Sequence, residues 1–139
     1  MAHHDVSHLD RCYQLWACTR PIWICARCLG VYPTLFLALG IQVAIEVPRG
    51  WWDLLLLFGL PIPALVDWAG SRLRSWPGSN PRRTLTGMLL GLSLSRMVYL
   101  NMVHPFQLLV SLQILLLMAV VLIVEGGARL RSSRRGAGQ

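Results

Sequence analysis

Four apolar stretches of about twenty residues, joined by links too short to hold a domain, constrain this chain more than any other feature. They lie at 29–47, 51–69, 84–103 and 105–125, and each is long enough to cross roughly 30 Å of hydrocarbon as a helix. A lipid interior offers no partner for backbone N–H and C=O groups, so such stretches must satisfy them internally. Short links make neighbouring helices antiparallel. The predicted fold is an all-α integral membrane protein, a single membrane domain over 1–139 built as a four-helix antiparallel bundle. Composition agrees. Hydrophobic residues make up 55% and charged residues 14%, against about 25% charged in a soluble domain.

Positive charge then orients the bundle, because basic loops stay on the cytoplasmic side. Arg11, Arg20 and Arg27 precede the first span; Arg72, Arg74, Arg82 and Arg83 fill the second link; Arg129, Arg131, Arg134 and Arg135 follow the fourth span. A four-span arrangement puts all of these on one side and only Arg49 on the other. Both termini are therefore expected in the cytoplasm, with 1–28 a cytoplasmic Cys/His segment and 126–139 a basic tail. The expected location is the inner membrane. The net charge of +7 is spread between apolar runs rather than along a polar face, which favours anionic lipid over nucleic acid. The N-terminal segment lacks the basic start and immediate apolar core of a cleaved secretory signal.

Within the spans, Trp51 and Trp52 suit an interface. Pro61 and Pro63 remove two backbone donors and predict a kink. Gly87, Gly91 and Ser95 recur every four residues and predict one face of close helix approach. Gln42, Ser93, Asn101 and Gln113 are expected to hydrogen-bond between helices. Arg96, inside the third span, needs to snorkel or to pair with Asp53 or Glu46.

Chemistry concentrates in two places. Cys12, Cys18, Cys25 and Cys28 all fall within 17 residues, and the rest of the chain has no cysteine. Structural disulfides do not suit a reducing cytoplasm. The CxxC spacing of Cys25 and Cys28 matches half a zinc site, which Cys12, Cys18, His4 and His8 would complete. Zinc or iron is the preferred ligand. Alternatively, a helix start and Arg27 would lower a thiol pKa and support thiol–disulfide exchange at Cys25 and Cys28. The plainest alternative is that both cysteines only pack on one helix face, in a structural or partner-binding protein. The second place is the link around 67–87. Asp67, Arg72, Ser79, Asn80 and Arg83 would contact an anion or support the metal ligands. Ser79 or Asn80 would cap the third helix, and its amides with Arg82 and Arg83 could hold a phosphate or lipid headgroup. Expected partners are the bilayer, anionic headgroups and a further membrane protein.

The segment Cys25-Ala26-Arg27-Cys28 with Gly30 and Tyr32, preceded by Cys12 and Gln14, resembles a family of small bacterial and archaeal membrane proteins, the domain-of-unknown-function family 2085. Asp67, Gly70, Arg72, Ser79, Asn80, Arg83, Thr86 and Gly87 extend the resemblance over roughly 12–91. Tyr13 stands where that family often has histidine, Pro33 where it often has glycine, and Cys18 is additional. The resemblance implies a multi-pass membrane protein, assigns no reaction, and implies that the cysteine motif and the Asp67–Asn80 region meet in the fold.

Overall fold

A computed structural model describes residues 12–17, 20–73 and 79–136. Four long helices follow a short hairpin. Strands β1 (Cys12–Ala17) and β2 (Arg20–Cys25) pair antiparallel, with Cys12 opposite Cys25 and Gln14 opposite Trp23. The helices are α1 (Ala26–Ile45), α2 (Trp52–Leu73), α3 (Asn80–Val103) and α4 (Leu108–Gly136). The hairpin departs from the all-α expectation. Ile22, Trp23 and Ile24 are β-branched and aromatic residues that favour an extended pleat, and they form its second strand.

Burial is inverted relative to a soluble protein. Gln42, Asp53, Ser93, Ser95, Arg96 and Gln113 are buried, while Phe36, Leu37, Leu115 and Ile123 are exposed. Large apolar side chains spread around the outside and polar ones inside fit a bundle that faces lipid. Three helices are long and apolar enough to cross a membrane: Ala26–Ile45, Trp52–Leu73 and Leu108–Arg131. The 20-residue α1 measures about 30 Å at 1.5 Å per residue.

Helix α3 is not among these three. Its 24 residues include Arg82, Arg83, Arg96 and a run of small and hydroxyl residues, which lower its hydropathy, and the other three helices pack around it. The expected small-residue face is real and lies against α1. A Cβ on Gly87 would stand 2.6 Å from the Arg27 carbonyl oxygen, and one on Gly91 would stand 2.5 Å from that of Val31. Gly30 of α1 returns the contact, against the Thr84 carbonyl.

The prolines of α2 act through a π-helical turn at Leu55–Gly59, where the Leu60 N–H donates to the Leu55 carbonyl at 3.2 Å. Pro61 has no N–H to give the Leu57 carbonyl four residues back. The Ser93 hydroxyl donates to that carbonyl instead, at 3.3 Å, and Gln113 Nε2 donates to Ser93 Oγ at 3.0 Å. One missing donor is thus replaced through three helices. Gln42 Nε2 donates to Ser95 Oγ at 3.0 Å. Asn101 does not bridge helices as expected; its Oδ1 accepts the Phe106 N–H of the following turn.

Arg96 is paired, not snorkelled. It is 1% exposed, and its Nε donates to Asp53 Oδ1 at 2.7 Å. Its Nη atoms donate to the Pro48 carbonyl at 2.8 Å and, at 3.4 Å, to the Val47 carbonyl and Gln42 Oε1. Tyr99 lies below the guanidinium, 5.3 Å away at the ring centroid. Of the two carboxylates offered by the sequence, Asp53 takes the charge. Glu46 instead ends α1 in a left-handed conformation, φ 46°, a position glycine usually fills.

Candidate thiol and arginine site at the hairpin end

Strand β2 runs into α1 without a loop, so Cys25 is both the last strand residue and the N-cap of α1. Cys28 follows one turn later, and Cys12 faces Cys25 across the hairpin. None of the three is in a disulfide; Cys25 and Cys28 are exposed and Cys12 is half-buried. Partial burial pushes the Cys25 thiol up. The backbone N–H groups of Cys28 and Arg27, the Cys28 S–H and the Arg27 charge outweigh it and hold Cys25 below the ordinary thiol range. This is the physics of a thiolate at a helix start: orphan amide donors and a nearby cation stabilise the anion.

Of the six expected metal ligands, His4, His8 and Cys18 lie outside the described residues. Among the described residues, no group of three or more His, Cys, Asp or Glu is placed to hold a metal ion.

The implied meeting of the two motifs is present. Arg27, between the cysteines, donates through Nη2 to Asp67 Oδ2 of α2 at 2.5 Å. Arg82 of α3 approaches the other oxygen at 3.8 Å. Thr84 donates to the Ala26 or Asn80 carbonyl, each 3.0 Å away, and its hydroxyl lies 3.5 Å from that of Tyr13. Tyr13 therefore anchors the hairpin on α3.

Arg72 lies near Asp67 in sequence but does not pair with it. Its Nε and Nη2 donate to the two oxygens of Glu125 in α4, at 3.1 and 2.9 Å. Sequence reasoning missed Glu125, although a lone acid at the end of an otherwise apolar run was the available signal. Ser79 occupies the N-cap of α3 with extended backbone but makes no side-chain cap bond. Asn80 begins the helix, and its Oδ1 is buried without a hydrogen-bond partner.

These elements enclose a cavity of about 530 Å³ lined by Cys25, Cys28, Arg27, Arg72, Arg83 and Glu125, with Trp68 and Ser71. Arg83 is 7% exposed. A cavity of about 580 Å³ at the opposite end, by Glu46, Arg49 and His104, contains no cysteine and none of Asp67, Arg72, Ser79, Asn80 and Arg83.

No curated protein and no solved structure matches the chain. A family profile does match, over residues 8–97, more than half of the sequence. It covers the hairpin, α1, α2 and the Arg83–Arg96 portion of α3, the parts that build both the cavity and the buried Arg96 pair. The chain belongs to that family, DUF2085, described as predicted membrane proteins.

Proposed function

We propose that this is a four-span protein of the cytoplasmic membrane, with both termini inside the cell and a dithiol redox site, Cys25 and Cys28, at its inner face. The excess of arginine at the hairpin end supports that orientation. Ion pairs from Arg27 to Asp67 and from Arg72 to Glu125 gather the same ends of the helices there. Helix α3 would cross the membrane inside the other three, its polar stripe shielded from lipid.

The observation that carries the redox reading is the position of Cys25 at the N-cap of α1, one turn before Cys28, where the neighbouring amides, the Cys28 S–H and the Arg27 charge hold its thiol below the ordinary range. The substrate class is a protein disulfide. Cys25 sulfur attacks one sulfur of that bond, and the other leaves as a thiolate that takes up a proton. Cys28, giving its proton to solvent, attacks Cys25 sulfur and releases the second substrate thiol. The substrate disulfide is reduced to two thiols, and Cys25–Cys28 becomes the disulfide. A dithiol protein restores it by the reverse exchange.

A Cys28→Ser variant tests this, since it cannot resolve the mixed disulfide. Exposed to a reporter disulfide, it should accumulate a Cys25 adduct reversed by dithiothreitol, while the wild type releases the adduct and gains an internal disulfide. A Cys25 that forms no adduct faster than an unstructured thiol overturns the reading.

One observation favours a second reading. Cys12 stands opposite Cys25 in the hairpin register, and a zinc or iron site there would need Cys28 to turn toward that pair and Cys18, His4 or His8 to supply a further ligand. Metal analysis of detergent-purified protein separates the two. Stoichiometric metal, lost in a Cys25→Ser, Cys28→Ser variant, supports the metal site; metal-free protein with exchange-competent thiols supports the dithiol.

A further inference from the structure

We infer that the cavity at the hairpin end binds a phosphate-monoester group, with Arg83 as its principal anchor. The inference does not depend on the thiol chemistry.

Arg83 is the central observation. Its side chain lies in the first turn of α3, is 7% exposed and lines the cavity, yet it makes no hydrogen bond or ion pair with any described residue. A largely buried guanidinium with no carboxylate of its own opens onto the cavity and favours an anion there. The nearby acids are already engaged: Asp67 by Arg27 and Arg82, and Glu125 by Arg72 and Arg129. Arg27 Nε is also buried without a hydrogen-bond partner. The protein therefore holds donors and positive charge around a half-open cavity with too little negative charge of its own.

The ligand class follows from that imbalance. The wall carries three guanidiniums, Arg27, Arg72 and Arg83, of which Arg27 is paired with Asp67 and Arg72 with the wall's carboxylate, Glu125, leaving Arg83 without one. A carboxylate ligand would add a single charge. A phosphate monoester carries about −1.5 to −2 near pH 7 and three terminal oxygens, which suits several arginine forks at once. At about 530 Å³ the space holds more than the phosphate, and Trp68 provides an apolar wall for the esterified remainder. The same chemistry is offered by a phosphatidic acid headgroup and by a soluble phosphate ester.

The test uses the full chain in neutral detergent. Titration calorimetry with glycerol 3-phosphate reads the soluble source. Native mass spectrometry after exposure to an equimolar mixture of phosphatidic acid and phosphatidylcholine reads the lipid source. Wild-type protein should bind at least one of them saturably, and Arg83→Gln should weaken that binding about tenfold or more, a loss of roughly 1.4 kcal/mol. Arg49→Gln, the same charge change at the opposite end, should leave it intact. Binding of glycerol 3-phosphate supports the site and points to a soluble ester; retention of phosphatidic acid alone supports it and points to the headgroup. Equal binding by wild type and Arg83→Gln overturns the inference, as does wild-type protein that binds neither. If Arg83→Gln does not fold, the wild-type unfolding midpoint decides. It should rise with glycerol 3-phosphate or phosphatidic acid relative to chloride of equal ionic strength, and no rise with either overturns the site.

Discussion

Arg83 and Arg96 sit on the same helix, 13 residues and therefore about 20 Å apart, and both are almost wholly buried. Their surroundings differ completely. Arg96 has Asp53, Gln42, two backbone carbonyls and the face of Tyr99. Arg83 has a cavity. A guanidinium whose donors are met by the chain belongs to the fold, whereas one whose donors line an open cavity points to something from outside. At the far end the arginine is paired by the fold itself, and at the hairpin end it lines a cavity.

The largest expected effect breaks the paired end. Arg96→Met leaves Asp53 buried without its cation, and removal of one partner of such a pair costs about 3–5 kcal/mol. Thermal unfolding in detergent should show a large fall in midpoint. Arg83→Met should leave the ligand-free midpoint unchanged or raise it, because it removes an uncompensated charge. Equal falls in the two variants would erase the distinction between the ends.

Next in size is the seam that joins them. Gly91 lies between the two arginines on α3, and even a methyl group there meets the Val31 carbonyl. Gly91→Ala should cost about 1–3 kcal/mol, the range for overpacking, while Gly40→Ala and Gly126→Ala, with nothing within 4 Å of the added carbon, should be silent. The comparison sharpens if Gly91→Ala also weakens phosphate-ester binding, since Arg27 on α1 and Arg83 on α3 line one cavity from the two sides of that seam.

Much of this could be read in the sequence, and the reasons are physical. Apolar runs of spanning length announce helices because lipid permits little else. Four-residue spacing of Gly87, Gly91 and Ser95 announces a close crossing. A lone arginine inside a span demands a carboxylate, and few were within reach. Boundaries were less legible: α1 begins at Ala26 rather than near 29, and α4 runs on to Gly136, through Gly126 and Gly127. The hairpin was not legible, because its evidence is a cross-strand register between Cys12 and Cys25. The partners of Asp67 and Arg72 were not legible either. Each depends on which of several nearby charges a helix rotation brings within reach, and the hydropathy pattern leaves that rotation open.

A smaller effect concerns reactivity at the open end. Cys25 titrates below the ordinary thiol range when folded, so its thiolate contributes stability that is present above the unfolded thiol pKa and is lost as pH falls through the folded value. Alkylation by iodoacetamide should accordingly reach half its maximal rate at lower pH than for a free thiol. Cys28→Ala removes one of the groups that stabilises the thiolate and should shift that midpoint upward. An unchanged midpoint would mean that the backbone amides and Arg27 act alone.

The smallest effect is expected at Ser79, one turn before Arg83. A serine that caps a helix is worth about 1 kcal/mol, but Ser79 makes no side-chain cap bond, so Ser79→Ala should change the unfolding midpoint by no more than about 0.5 kcal/mol. The result bears on the open end directly. The start of α3 is the positive end of its helix dipole and lies beside a guanidinium that has no carboxylate of its own, and both favour an anion. A full capping loss in Ser79→Ala would mean that the hydroxyl already satisfies the first amides of α3, leaving Arg83 and the cavity wall to attract the phosphate without them.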